Sequence, residues 1–147
     1  MTIVPGPLEV EQRVEASPEI VFAYFTDPEK YRRWMGTGAE LDARPGGVYR
    51  VAVGGNVASG HYVELDPPRR IVLTWGWEGD PDLPAGASTV EIDLIEDAGA
   101  TIVRLRHSGL PTDDSKDQHG QGWIHYLERL AVAGPGGDPG PDPLEGS

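Results

Sequence analysis

LEVEQRVEASPEIVFAYFTDPEKYRRW, residues 8–34, changes its hydrophobic period twice within 27 residues, and these changes decide how the chain folds. Side chains of a strand alternate between the two sides of its sheet. Leu8, Val10, Gln12 and Val14 therefore share one face, and Glu9, Glu11, Arg13 and Glu15 the other. Ser17 and Pro18 then start a helix, the hydroxyl available to free backbone N–H groups and the proline fitting the first helical position. Ile20, Val21, Phe22, Tyr24 and Phe25 form its apolar stripe. Asp27 and Pro28 restart the chain as a second short helix carrying Tyr31 and Trp34.

Downstream the period is two. Strands are expected at 40–43, 48–53, 57–65, 71–78, 88–96 and 101–107, separated by turn-forming residues such as Gly46–Gly47, Gly54–Asn56, Asp66–Pro68 and Asp97–Gly99. Links this short imply antiparallel neighbours. Parity places Tyr49, Val51 and Val53 inward, then His61, Val63 and Leu65, then Ile71, Leu73, Trp75 and Trp77. Val90, Ile92, Leu94, Val103, Leu105 and His107 complete that face. The Pro/Gly-rich segment 79–87 is expected to be a mobile loop rimming a pocket. Residues 108–116 read as irregular. A helix then runs over 117–133, with Trp123, Leu127 and Leu130 on one stripe. Gly120 and Gly122 weaken its first turn, each by roughly 1 kcal/mol relative to alanine. They either admit a molecule close to the backbone or let the sheet approach.

The expected class is α+β, a curved antiparallel sheet of six to seven strands wrapped round a long C-terminal helix, with two short helices after the first strand. Residues 1–7 form a leader, 8–133 one domain, and 134–147 a disordered acidic tail in which nine of fourteen residues are Gly or Pro. Twenty-four acidic against twelve basic residues give a net charge of −12, which disfavours nucleic acid and anionic lipid as partners. The start lacks a secretory signal and no apolar run is long enough to span a membrane, so a cytoplasmic location is expected. With no cysteine there is no disulfide, thiolate ligand or thiol nucleophile.

An inward face with so many polar tips reads as the wall of a small-molecule pocket. Its candidate ligand-binding residues are Gln12, Tyr49, His61, Trp75, Trp77, His107, Trp123 and Tyr126. Gln12 is an amide that must find partners if buried. Trp75 and Trp77, flanking Gly76, would stack against a flat ligand, and Tyr49 and Tyr126 would offer hydroxyls. His61 and His107 are the candidate catalytic residues, able to exchange protons near neutrality if they meet. The competing reading for each is ordinary packing, or, for His107, a bond to the backbone at the strand end. No metal is expected, because His119 and His125 are six residues apart and do not share a helical face. No cofactor motif is present either: the Gly-Gly pairs lack the strand-loop-helix context that phosphate binding needs.

The order of elements resembles the START-like helix-grip superfamily, which includes the birch-pollen-allergen-like (SRPBCC) proteins. Six segments resemble one branch, the homologues of the heat-shock protein ATPase activator. They are Phe25–Trp34, Arg44–Gly47, Gly60 with Glu64–Pro68, Ile71–Trp77, Leu105–Gly109, and Gly122–Trp123 with Leu127 and Leu130. The resemblance covers about residues 8–133. It implies a cavity between sheet and long helix that takes lipids, hormones or polyketides. In a few members it implies a cyclase or aromatase, and in some relatives from antibiotic producers sequestration of a toxic product. The expected partner is a hydrophobic small molecule. An acid-base cyclase of polyketide-like substrates is the alternative, and a chaperone-activator-like interaction module with a chaperone partner is the third reading. The third carries least weight, since a single domain of this size would lack the second domain of the eukaryotic activators.

Overall fold

The computed structural model describes residues 7–140; most of the expected leader and residues 141–147 of the expected tail lie outside the described residues. The elements are β1 (Leu8–Val14), α1 (Pro18–Thr26), α2 (Pro28–Tyr31), β2 (Gly38–Leu41), β3 (Val48–Val53), β4 (Asn56–Asp66), β5 (Arg70–Trp75), β6 (Ser88–Asp97), β7 (Ala100–Ser108) and α3 (Asp113–Ala133). All neighbouring strands are antiparallel in one seven-stranded sheet, ordered β1-β7-β6-β5-β4-β3-β2. Its inner face is covered by α3, which is the helix-grip arrangement.

Local chemistry sets the ends of the helices. Ser17 caps α1 by accepting from the Ile20 N–H, and Asp27 closes α1 with its own N–H on the Ala23 carbonyl. The Asp27 carboxylate also opens α2 by accepting from the Glu29 N–H at 2.9 Å. α3 begins four residues before the expected start, because Thr112 accepts from the Ser115 N–H at 3.0 Å. That cap makes a helix of residues expected to be irregular. Trp34 lies just past α2 in a turn, fully buried, and donates to the Tyr24 carbonyl.

Inward parity holds in every strand expected from it except β4. There the pairing register slips between Tyr62 and Glu64, a β-bulge that reverses which residues face the core. Leu65 remains on the core side, but upstream of the bulge Ala58 and Tyr62 join the hydrophobic core, while Val63 is 48% exposed and His61 faces solvent. The Tyr62 hydroxyl reaches across the core to donate to the Phe25 carbonyl at 2.9 Å, fastening the sheet to α1.

Two segments expected to be mobile or disordered make defined contacts. The loop after β5 is tied down: the Trp77 N–H donates to Leu83 O at 2.8 Å, Leu83 is buried, and the Gly86 N–H donates to Ser59 O. Residues 134–140, expected to be disordered, fold back on α3, where Arg129 donates to the carbonyls of Pro139 and Gly140.

Gly60 pairs with Tyr49, and a Cβ there would overlap the Thr74 carbonyl of β5. Gly60→Ala is therefore expected to lower unfolding free energy by about 3 kcal/mol in urea titration, as strands must separate to admit one methyl group. Gly99→Ala, at a turn where a Cβ meets only open space, loses only the left-handed preference, about 1 kcal/mol.

Candidate functional site

The inner sheet face and the first half of α3 diverge to leave an open cleft of about 600 Å³. Trp75 and Trp77 form one wall, and His119, Gly122, Trp123 and Tyr126 of α3 the other. Met35 and Val53 also line it, the β3–β4 turn contributes Gly54 and Asn56, and Glu78, Gly79, Asp80 and Gln118 complete the lining. The two helix glycines divide the roles foreseen for them. A Cβ on Gly120 would meet Leu8 of β1 at 3.2 Å, so this glycine lets the sheet approach; a Cβ on Gly122 would meet nothing within 4 Å, so this one leaves the cleft open.

Hydrogen bonds fix the indoles and imidazoles in two sets. The Trp123 Nε1–H donates to His107 Nδ1 at 3.1 Å, so the His107 proton sits on Nε2. Nε2–H donates to Ser88 Oγ at 2.8 Å, and the Ser88 hydroxyl donates to the Trp75 carbonyl at 2.6 Å. In the second set the Trp77 Nε1–H donates to His119 Nε2 at 3.1 Å, and His119 Nδ1–H donates to the Ser115 carbonyl at 2.8 Å. The imidazole rings lie edge to face, 5.1 Å apart. Both are held neutral. Burial, with a smaller contribution from His119, pushes His107 down to about 3, and burial also lowers His119, against the opposing pull of its Ser115 bond and of Asp80.

The candidates named from sequence separate accordingly. Trp75, Trp77, Trp123 and Tyr126 meet in the cleft. Trp75 and Trp77 are edge to face at 81°, Trp75 being 2% exposed and Trp77 more open. The Trp75 Nε1–H is buried with no hydrogen-bond partner among the described residues. His107 is 1% exposed and lies behind the wall, bridging Trp123 to β6, with both nitrogens occupied. Tyr49 is also behind the wall, its hydroxyl bonded to that of Tyr31, and burial raises its pKa well above the ordinary tyrosine value. Gln12 is half-buried away from the cleft and donates to the Arg13 carbonyl. His61 is on the outer face beside Thr74, and the bulge in β4 accounts for its misplacement. The two candidate histidines do not meet.

His119 was missed as a cleft residue because it was weighed only as a metal ligand. The signal was present: it lies one turn before Trp123, so the apolar stripe of α3 extends back to it. Chemically, the cleft can hold a flat apolar molecule against indole rings and meet polar groups at its rim. Neither imidazole can exchange a proton without first losing an existing bond.

A histidine kept neutral in the fold binds fewer protons than in the unfolded chain between its unfolded value near 6.5 and its folded value of about 3, so stability falls as pH drops through that window. Below pH 6.5, His107 is expected to remove on the order of 1 kcal/mol per pH unit. His107→Gln should flatten this part of the urea-denaturation pH profile while lowering stability at pH 7.

Comparison with known proteins places these features in a family. The family described as Activator of Hsp90 ATPase homolog 1-like protein matches residues 15–133. The human activator of 90 kDa heat shock protein ATPase homolog 1 is 30% identical over 110 residues, which are 75% of this chain and 31% of the human protein. The chain thus spans less than a third of the length of the curated relatives it matches. An AHSA1-like protein from Rhizobium etli is 46% identical, with a TM-score of 0.73 over 97% of this chain and 91% of that one. The crystal structure of CalU16 from Micromonospora echinospora is 33% identical, with a TM-score of 0.67 over 83% of this chain and 71% of that one. On the match over 15–133, this chain belongs to the Activator of Hsp90 ATPase homolog 1-like family.

Proposed function

We propose that this protein binds a hydrophobic, aromatic or polycyclic small molecule between the sheet and α3, for sequestration or transport in the cytoplasm. The observation that carries this reading is the open cleft faced by Gly122 and lined by three of the chain's four tryptophans. A glycine inside a helix costs roughly 1 kcal/mol relative to alanine, and no neighbouring group occupies the space a side chain would fill at 122. Stability alone does not account for it; room for a ligand does. The unmet donor of Trp75 supports the same reading, since a buried N–H without a partner costs about 1–3 kcal/mol.

The cyclase reading is less well supported. It needs titratable groups converging on a reacting atom, whereas His61 lies outside and both nitrogens of His107 are engaged. The similarity to the human activator supports a second reading, contact with a chaperone through the outer surface. The two differ in where a substitution acts.

Gly122→Leu is expected to fill the cleft without touching the outer sheet face. With the neutral dye Nile red as probe, the emission increase given by the unmodified protein should require about tenfold more protein or be lost, while the thermal midpoint stays level or rises. Trp77→Ala should weaken the dye several-fold and lower stability by about 2 kcal/mol, since His119 Nε2 loses its donor. Unchanged dye binding by Gly122→Leu would show that the cleft is not the site.

A further inference from the structure

The charged side chains that line the cleft are both acidic. Glu78 and Asp80 are the ionised residues that line it, and neither lysine nor arginine is among its lining residues. The two carboxylates are not equivalent. Glu78 is neutralised by a two-pronged pair with Arg50, at 2.7 and 3.0 Å. Asp80 has no ion-pair partner among the described residues. Its Oδ1 accepts from the backbone N–H groups of Asp82 at 2.8 Å and Leu83 at 3.4 Å, which hold the carboxylate in place at the mouth and leave Oδ2 without a hydrogen bond among these residues. Below it, Trp77 directs its N–H at His119, and an indole face attracts a cation. The other polar lining groups, Asn56, Gln118 and neutral His119, offer no positive charge to an anion.

We propose that the cleft selects a cationic polycyclic amine, with its rings against Trp77 and Trp123 and its charged nitrogen on Asp80. This deepens the binding reading above and rests on it. Three-ring probes of one shape and different charge separate the two: 9-aminoacridine as cation, acridone as neutral molecule, and acridine-9-carboxylate as anion, each titrated calorimetrically into the full chain. The cation should bind about tenfold more tightly than acridone, and the anion more weakly than either.

Asp80→Asn keeps an oxygen to accept from Asp82 and Leu83 and removes only the charge. It should weaken the cation about fivefold, leave acridone and the thermal midpoint unchanged, and abolish most of the salt dependence. Glu96→Gln, exposed on β6, changes the net charge equally and should leave all three affinities unchanged. If Glu96→Gln weakens the cation as much as Asp80→Asn does, the preference is a general field effect and the proposal fails. If the three probes bind alike, charge selection fails while the binding reading stands. If none binds, both fail.

Discussion

Two hydrogen bonds from indole N–H groups to imidazole nitrogens hold the helix, the sheet and the loop in register: Trp123 to His107 and Trp77 to His119. Buried polar groups are costly unless paired. Here, the Trp75 N–H apart, indole donors and imidazole acceptors that line or back the cleft satisfy one another across the helix–sheet boundary. The first bond joins α3 to β7 and, through Ser88, to the carbonyl of Trp75. The second joins the segment after β5 to α3. Each bond also fixes a tautomer, and both fixed tautomers are neutral. The aromatic groups are thereby held at set angles around a space that they do not fill, with about 600 Å³ left open.

Much of the fold was legible because β1, β3, β5, β6 and β7 keep strict parity and each helix start carries its cap. Two failures trace to single local features. A bulge between Tyr62 and Glu64 adds one residue to β4, and alternation read backward from Leu65 then assigns His61 and Val63 to the wrong face. Nothing in the residue types marks that insertion. Thr112 does carry a signal, since a threonine three residues before Ser115 can cap a helix, but the polar run around it masked the cap. At the site, the tryptophans were legible by parity and helical spacing. The roles of the histidines were not: whether an imidazole is a proton carrier or a packed acceptor depends on what lies opposite each nitrogen. For His107 that is Trp123 and Ser88, from two different elements.

Within the Activator of Hsp90 ATPase homolog 1-like family the chain keeps the helix-grip scaffold, and one scaffold serves many functions. This site combines a glycine facing empty space on α3, tryptophans around it, and a carboxylate without an ion-pair partner among the described residues. These features favour holding a molecule over transforming one. Among the described residues no helix is long and apolar enough to cross a membrane, and the exposed face of β1, β7, β6 and β5 carries cross-strand Arg–carboxylate pairs.

The most direct test follows the four indole N–H signals in a two-dimensional nitrogen–proton NMR titration with Nile red. Trp75, Trp77 and Trp123 surround the cleft, whereas Trp34 is sealed in the core on the Tyr24 carbonyl and serves as an internal reference. The account predicts that the three cleft signals shift together with amides of residues 54–56, 78–80 and 118–126, and that Trp34 stays in place. Shifts confined to the outer sheet face, or four unmoved indoles with dye bound, would contradict it.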